Sequence, residues 1–372
     1  MGRSLVFCHP SDEHYGADRV LLDIWESLPA DQRADTEVWL PTDLPHGSKP
    51  LCRELRTRGA VVRHVDLPIV RRAYLTPIGL ARVLRRWWRL QRALRKQRPD
   101  VVYCTTSAAF LCAPAARFAG VPEVVGHVQE VWGSRDAVLL SGAARFCGQL
   151  LTISEAVRAA LPPTLQRRAT VVRNATPDPG PVPPPQARAG ALRFVIAGRW
   201  TPIKGHATLL RAWDLAGSPG ELVILGGPGP IGRSVDVSGL VAGLRRPETV
   251  RIEGEVDDIG PYLEEADVVV IPSDRPEGFG LTAVEAFARG RPVVGSSFGG
   301  IAEIVHDGVN GWLFTPGDHE RLGEILGSLA HEDVLRAGRR AREDYERLYT
   351  PSRYAREWQA ALELPRPGAG AA

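Results

Sequence analysis

Short runs of apolar, β-branched residues alternate with amphipathic segments along most of the chain. In the first half these runs predict strands at residues 4–9, 37–41, 60–67, 101–105, 123–127, 150–154 and 170–173. The second half repeats the pattern, with strands predicted at residues 194–197, 222–225, 250–253, 268–271 and 292–295. Helical spacing fills the intervals, as over 17–28 and 109–119. Strands separated by helices are typical of parallel sheets covered on both faces, so the pattern predicts an α/β protein with two doubly wound domains.

A proline-rich segment separates the two halves. Residues 177–191 contain six prolines, which is typical of a linker. We therefore predict an N-terminal Rossmann-like domain over 1–176 and a C-terminal one over 192–349.

The C-terminal segment carries one more helical pattern. Tyr354, Trp358 and Leu362 recur at helical spacing, which predicts a helix over 350–364. Residues 365–372 are mostly glycine, alanine and proline and are expected to be disordered.

The predicted strand at 268–271 leads into a glycine-containing loop, Pro276-Glu277-Gly278-Phe279-Gly280-Leu281, and then into a helix. Glycines let the backbone come close to a ligand, and a helix N-terminus presents unpaired N–H groups with a partial positive charge. Glu277 and Glu285 flank this cradle, where their carboxylates suit hydroxyl groups on either side of a phosphate. These features predict a site for a sugar joined by a diphosphate to a ribose. The alternative is that both glutamates are solvated surface residues.

Two cations follow the first predicted strand of the second domain. Arg199 and Lys204 lie in the segment Gly198-Arg199-Trp200-Thr201-Pro202-Ile203-Lys204-Gly205. Two cations in such a loop neutralise the developing charge of a departing diphosphate without a metal. Lysine is rare in this chain, with three among 46 basic residues, so its presence at position 204 is informative. The alternative is a pair of solvated basic residues.

The glycine loop and its flanks resemble the donor-binding motif of the retaining "group 1" (family 4-like) glycosyltransferases, which have the GT-B fold. The Glu-x7-Glu spacing around Gly278-Phe279-Gly280 carries the resemblance, together with the segments 290–295 and 299–305. The resemblance implies two Rossmann-like domains that face each other across a cleft. It also implies a nucleotide-diphosphate sugar as donor, a hydroxyl acceptor and retention of the anomeric configuration.

The resemblance assigns roles to individual residues. Glu285 is expected to hold the ribose hydroxyls, and Glu277 the sugar hydroxyls. Arg199 and Lys204, with the backbone of Gly278, Phe279, Gly280 and Leu281, are expected to stabilise the leaving diphosphate.

Three further positions match the family less closely. Gly16, in Tyr15-Gly16-Ala17-Asp18, is a candidate backbone donor to the diphosphate or a close neighbour of the acceptor, although Tyr15 and Asp18 depart from the family's Gly-Gly-Ala-Glu loop. The alternative is that Gly16 is only a turn residue and Asp18 only a charge at a helix start. His127 follows a strand and is the candidate for orienting the sugar; the alternative is a hydrogen-bonded structural histidine. Glu253 lies in the region that the resemblance places against the nucleotide base.

The sequence predicts no cofactor or metal for the reaction. It contains no Asp-x-Asp and no cluster of His, Cys and Asp at metal-ligand spacing, and no Gly-x-G-x-x-Gly follows its first strand. The five cysteines form no Cys-x-x-Cys pair and are expected to be reduced and mostly buried.

Positive charge concentrates in the first half of the chain. Residues 1–176 contain 25 basic and 16 acidic residues, whereas the remainder contains 21 and 27. Segment 71–98 carries no acid, and Leu80, Leu84, Trp87 and Leu94 are expected to form one apolar face of a helix there. A basic amphipathic helix with tryptophans suits an anionic membrane surface. The alternatives are a packed helix with a solvated basic rim and, without any recognised motif, a nucleic-acid surface; we predict no nucleic-acid partner.

Three functions are compatible with these motifs. The first is a metal-independent glycosyltransferase acting on a lipid-linked or polysaccharide acceptor, cytoplasmic or peripheral on the inner membrane face. The second is a catalytically inactive scaffold protein that binds a sugar nucleotide. The third is a GT-B epimerase, which converts the sugar nucleotide without an acceptor.

Overall fold

The chain forms two compact α/β units in a computed structural model that describes residues 3–13, 16–44, 50–71, 76–183, 191–229 and 234–363. Unit 1 comprises Met1–Asn174 and Pro351–Ala372, and unit 2 comprises Ala175–Thr350. The predicted tail at 365–372 and residues 184–190 of the predicted linker lie outside the described residues.

Unit 1 is built on a parallel sheet of seven strands. The strands are β1 (Leu5–Cys8), β2 (Thr36–Pro41), β3 (Val61–Val65), β4 (Val101–Cys104), β5 (Glu123–Val128), β6 (Gln149–Thr152) and β7 (Ala169–Val171). Their order in the sheet is β3-β2-β1-β4-β5-β6-β7. Side chains on both faces of the central strands are buried, as in the fully buried β1 and β4.

The helices of unit 1 connect these strands and cover the sheet. They are α1 (Gly16–Ser27), α2 (Ala30–Ala34), α3 (Pro50–Thr57), α4 (Pro77–Gln97), α5 (Cys112–Ala119), α6 (Ser134–Ala144), α7 (Glu155–Ala159) and α8 (Pro163–Gln166). The longest of them, α4, begins at Thr76, whose hydroxyl accepts a hydrogen bond from the Gly79 N–H, and ends at Arg98 in the left-handed conformation.

Unit 2 repeats the architecture with six parallel strands in the order β10-β9-β8-β11-β12-β13. The strands are β8 (Leu192–Ala197), β9 (Gly220–Leu225), β10 (Val250–Gly254), β11 (Val268–Ile271), β12 (Val293–Ser296) and β13 (Gly311–Phe314). The helices are α9 (His206–Leu215), α10 (Val237–Ala242), α11 (Gly260–Glu265), α12 (Leu281–Ala288), α13 (Ile301–Ile304), α14 (His319–Ser328) and α15 (His331–Leu348). A core that includes Phe194 and Trp213, with ring centroids 5.3 Å apart, lies between the sheet and its helices.

The prediction of two parallel α/β domains is confirmed. Each of the twelve predicted strands has a counterpart in one of the two sheets. Strand β13 was not predicted, because its four residues include a glycine and a half-exposed tryptophan and so lack a strong apolar run.

The last helix, α16 (Pro351–Ala361), packs in unit 1 although it follows unit 2 in sequence. It contacts α1, and its Gln359 amide donates to the Ser27 carbonyl. Trp358 is fully buried, and its indole N–H donates to the Tyr103 hydroxyl at 3.1 Å. The apolar stripe of α16 therefore completes the core over one face of the first sheet.

None of the helices within the described ranges has the length and apolar content that a membrane crossing requires.

Candidate active site

The sheet order of unit 2 defines where a ligand can bind. From β8 the chain moves through β9 to β10 on one side, and from β11 through β12 to β13 on the other. Loops that leave β8 and β11 at their carboxyl ends therefore diverge, and such a switch point is where doubly wound sheets bind ligands. These two loops carry Arg199 and Lys204, and Glu277 with the glycine loop.

The loop after β8 holds Lys204 in a defined position. Residues Pro202–Lys204 form one turn of 3-10 helix, and the Lys204 N–H donates to the Thr201 carbonyl at 3.0 Å. The methylene stem of Lys204 lies over Gly198, where an added Cβ would come within 3.5 Å of it. Gly205 follows with a φ of +68°, and a Cβ there would overlap the Pro272 carbonyl oxygen at the end of β11. Glycine at 205 thus allows the two loops to touch.

An ion pair joins the two loops across the switch point. The Lys204 ammonium lies 2.9 Å from Oε1 of Glu277, whose side chain is 14% exposed. The Ser273 hydroxyl donates to the same carboxylate oxygen, and the buried Ser296 hydroxyl donates to the Ser273 carbonyl at 2.7 Å. Glu277 and Lys204 are therefore oriented before any ligand arrives, which is the preorganisation that electrostatic catalysis requires.

The glycine loop is shaped by contacts with the loop after β12. The Gly300 N–H donates to the Glu277 carbonyl at 2.9 Å. Gly280 has a φ of +109° at the N-terminus of α12, and a Cβ there would collide with Ile301. The Phe279 ring is buried against Tyr349, so any contribution of Phe279 to donor binding comes from its backbone.

Arg199 and Glu285 are placed by the same two loops. Arg199 is exposed in the loop after β8. Glu285 is half-buried, one turn into α12 beyond Leu281. The structure thus gathers Arg199, Lys204, Glu277, Leu281 and Glu285 at loops that leave neighbouring strands.

Two glycines follow β9 at the carboxyl edge of the sheet next to these residues. The Gly226 N–H bonds to the Gly254 carbonyl, and a Cβ on Gly226 would overlap the Gly198 carbonyl oxygen. A Cβ on Gly227 would come within 2.8 Å of the Glu255 side chain. We call Gly226 and Gly227, which carry no side chain of their own, the glycine floor. Glu253, predicted to contact the donor, pairs with Arg251 on the same strand at 2.9 Å, and its contact with the donor stays a prediction.

A buried polar cluster occupies the switch point of unit 1, between β1 and β4. The Thr105 hydroxyl donates to the Cys8 carbonyl, so it accepts from Nδ1 of His9 at 2.7 Å. The Nε2 atom of His9 lies 3.0 Å from Asp18, which also accepts from the Ser11 hydroxyl. His9 comes at the end of the first strand and Asp18 at the start of a helix, and no motif in the sequence signals that these side chains meet. Gly16 is the exposed first residue of α1, and Tyr15 lies outside the described residues.

His127, predicted to orient the sugar, has no exposed surface in this structure. Tyr103 accepts from Trp358, so its hydroxyl proton points to Nδ1 of His127, at 3.0 Å. Nε2 has no hydrogen-bond partner among the described residues. Nδ1 of the ring is therefore held by Tyr103, which in turn contacts Trp358 of α16, and the role of His127 in orienting the sugar stays a prediction.

This burial has a measurable consequence, because it lowers the pKa of His127 from 6.5 to about 3. Between those two pH values the unfolded chain binds a proton at His127 that the folded chain does not. The free energy of unfolding should therefore fall as the pH drops below 6.5, by about 1.4 kcal/mol per pH unit from this group.

Urea unfolding at pH 7 and pH 5 measures this effect. The variant His127→Gln keeps an acceptor for Tyr103, and its free energy of unfolding should fall less between pH 7 and pH 5 than that of wild type. In the control His331→Gln, which changes a half-exposed residue of unit 2, the free energy of unfolding should fall as much as in wild type. Equal losses in wild type and His127→Gln would contradict the assignment.

One group of side chains in unit 1 has the composition of a metal site. Ligand atoms of Asp12, Cys52 and His64 lie within 4.8 Å of one another. These residues are 40 and 12 positions apart in the sequence, so no spacing motif signals them. Asp12 already accepts from the Cys52 N–H at 2.8 Å near the start of α3, which accounts for its burial without an ion.

Known structures share this two-domain architecture. Anabaena Alr3699/HepE in complex with UDP-glucose aligns with a TM-score of 0.80 over 97% of this chain and 99% of that chain, at 19% identity. The lipopolysaccharide outer core galactosyltransferase WaaB in its apo form aligns with a TM-score of 0.73 at 17% identity, over 97% and 99% of the two chains. The fold is that of the GT-B glycosyltransferases.

A family model matches part of the second unit. Residues 191–332 match the glycosyl transferases group 1. The D-inositol 3-phosphate glycosyltransferase of Xylanimonas cellulosilytica is 37% identical over 154 residues, 40% of this chain and 35% of that protein. The phosphatidyl-myo-inositol mannosyltransferase of Mycobacterium leprae is 40% identical over 91 residues, 24% of each chain. The chain thus spans between about a quarter and two fifths of the first curated relatives that it matches.

Proposed function

We propose that the protein is a retaining, metal-independent glycosyltransferase that moves a sugar from a nucleotide-diphosphate donor to a hydroxyl acceptor. The observation that carries the proposal is the preformed Lys204–Glu277 pair across the switch point of unit 2, beside the N-terminus of α12. Cations and helix N–H groups suit a diphosphate, and carboxylates beside them suit sugar hydroxyls.

Each residue has a defined task in this proposal. Glu285 accepts hydrogen bonds from the ribose hydroxyls, and Glu277 accepts them from the sugar. Arg199, Lys204 and the backbone from Gly278 to Leu281 stabilise the charge on the departing diphosphate. The glycine floor takes the flat face of the base and ribose, because Gly226 and Gly227 add no side chain there.

The chemical step needs no enzymic nucleophile. The bond from the anomeric carbon to the diphosphate oxygen breaks, and the acceptor oxygen bonds to the same face of that carbon. The acceptor proton passes to the departing phosphate oxygen. Lys204 lowers the barrier because charge on that phosphate is greatest as the bond breaks.

The acceptor that we propose is lipid-linked or a polysaccharide, reached at the inner face of a membrane. Two observations support this choice. The mannosyltransferase relative is named for phosphatidyl-myo-inositol, a membrane lipid. The WaaB neighbour is named for the outer core of lipopolysaccharide.

Thermal unfolding with a panel of nucleoside diphosphates and their sugars tests the proposal first. A ligand at one hundred times its dissociation constant adds about 2.7 kcal/mol to stability, so the true donor should raise Tm clearly. No shift with any donor would overturn the proposal.

Turnover of the stabilising donor separates the three functions. Product that forms only with an acceptor and keeps the anomeric configuration by NMR supports the retaining transferase. Conversion of the donor without an acceptor would identify an epimerase. Binding with no turnover in either assay would identify an inactive scaffold.

A further inference from the structure

Helix α4 has two apolar faces, only one of which packs in unit 1. Leu90 and Leu94 have no exposed surface and belong to the core. Leu80, Leu84 and Trp88, each four residues apart, are 58%, 53% and 56% exposed. Residues at this spacing lie on one side of a helix. The single face expected from Leu80, Leu84, Trp87 and Leu94 is therefore wrong, because Leu94 packs inward while Leu80 and Leu84 point to solvent.

The exposed face continues onto the end of α5. The Trp87 ring contacts both the Trp88 ring and the Phe118 ring, at centroid distances of 5.3 and 5.7 Å. Gln91 and Arg95 of α4 both donate to the Phe118 carbonyl, and the Phe118 side chain is 55% exposed. We name the surface formed by Leu80, Leu84, Trp88 and Phe118 the α4 patch. Contiguous exposed apolar surface of this kind marks a docking site.

Uncompensated positive charge borders the α4 patch. Arg86 and Arg89 pair with Asp43 and Asp66. Five other exposed cations on α4 have no acidic partner among the residues that the structure describes: Arg82, Arg85, Arg92, Arg95 and Lys96. The chain has no acidic residue between Asp66 and Asp100.

We infer that the α4 patch docks on an anionic lipid bilayer. Leu80, Leu84 and Trp88 enter the boundary between headgroups and acyl chains, and the neighbouring arginines contact lipid phosphates. A leucine and tryptophan stripe flanked by arginine is the composition that binds such an interface. A nucleic acid would use the cations but would leave Leu80 and Leu84 in water, so charge and apolar surface together favour the bilayer. This inference goes beyond the proposed function, because it uses no residue of the candidate active site.

Co-sedimentation with lipid vesicles tests the inference on the full chain. Wild type should pellet with vesicles of phosphatidylcholine and phosphatidylglycerol, should stay in solution with phosphatidylcholine alone, and should be released by salt. Leu84→Glu should weaken vesicle binding about tenfold or more, because it replaces an inserted leucine by a carboxylate that the anionic lipid repels. Arg85→Glu/Arg92→Glu should do the same.

The matched control is Leu215→Glu, because Leu215 is equally exposed, at 56%, but lies in unit 2. It should bind vesicles as wild type does. No binding of wild type to anionic vesicles, or equal binding of Leu84→Glu and Leu215→Glu, would overturn the inference. A dimer in lipid-free solution that Leu84→Glu dissociates would also overturn it, in favour of contact between two copies.

Donor stabilisation measured on the same variants keeps this inference apart from the proposed function. Leu84→Glu should be stabilised by the donor as wild type is, which also shows that the variant folds. Vesicle binding does not depend on the donor, so either proposal can fail while the other stands.

Discussion

Replacing Lys204 by alanine is expected to lower turnover by about a hundred- to a thousandfold, the scale of losing one preorganised charge contact at a transition state. The physical reason is twofold. The departing diphosphate loses a cation, and Glu277, only 14% exposed, keeps a charge whose partner at 2.9 Å has gone. Steady-state kinetics with the identified donor measures the effect, and an unchanged turnover would remove Lys204 from the mechanism.

Two further variants separate these reasons. Arg245→Ala breaks an exposed ion pair with Asp214 in the same unit, at 3.0 Å, and should leave turnover near wild type. The double variant Lys204→Ala/Glu277→Gln removes the orphaned charge. Turnover that stays low in the double variant assigns the loss to the missing cation and the missing carboxylate. Recovery would mean that the orphaned Glu277 charge caused it.

Replacing Gly205 by alanine is expected to destabilise unit 2 by several kcal/mol and to abolish donor stabilisation. The added Cβ overlaps the Pro272 carbonyl oxygen, and backbone cannot rotate away as a side chain does. The loops after β8 and β11 must then separate, and Lys204, the preceding residue, moves with them. Urea unfolding and the donor thermal shift measure the two effects.

Gly217→Ala provides a control that isolates the collision from the backbone conformation. Gly217 has nearly the same φ, +73° against +68°, but nothing lies within 4 Å of an added Cβ. The Gly217→Ala variant should lose only about 1 kcal/mol of its free energy of unfolding, the cost of an alanine in the left-handed conformation. The donor should still raise its Tm. If Gly205→Ala and Gly217→Ala lowered the free energy of unfolding equally, the contact between the loops after β8 and β11 would be unimportant for stability.

The strand, glycine loop and helix around Glu277 could be predicted from sequence because the signal is local. A buried apolar run, two glycines and a change to helical spacing all lie within about twenty residues. The contact between Lys204 and Glu277 could not be predicted from the same patterns, because the residues are 73 positions apart. Their meeting depends on β8 and β11 being neighbours, which is a property of sheet order.

Burial was the property that local patterns predicted least well. His127 lies near the carboxyl end of a strand, as an active-site residue would, yet its ring is fully buried and bonded to Tyr103, which contacts Trp358 of a helix more than 200 residues later. In α4, periodicity identified apolar positions but could not show which of two faces packs. The cluster around His9 is likewise a set of contacts that only the assembled sheet creates.

The glycine floor limits how the donor preference of this protein can change. A side chain added at Gly226 meets the backbone of Gly198, so a substitution there damages the fold before it alters selectivity, whereas one at Gly227 has only to displace the exposed side chain of Glu255. Contacts that main-chain atoms make with a ligand do not depend on side-chain identity, so mutation changes them little. Laboratory evolution towards a different sugar nucleotide should therefore collect its successful changes at positions such as Gly227 and Glu255, and leave Gly226 unchanged.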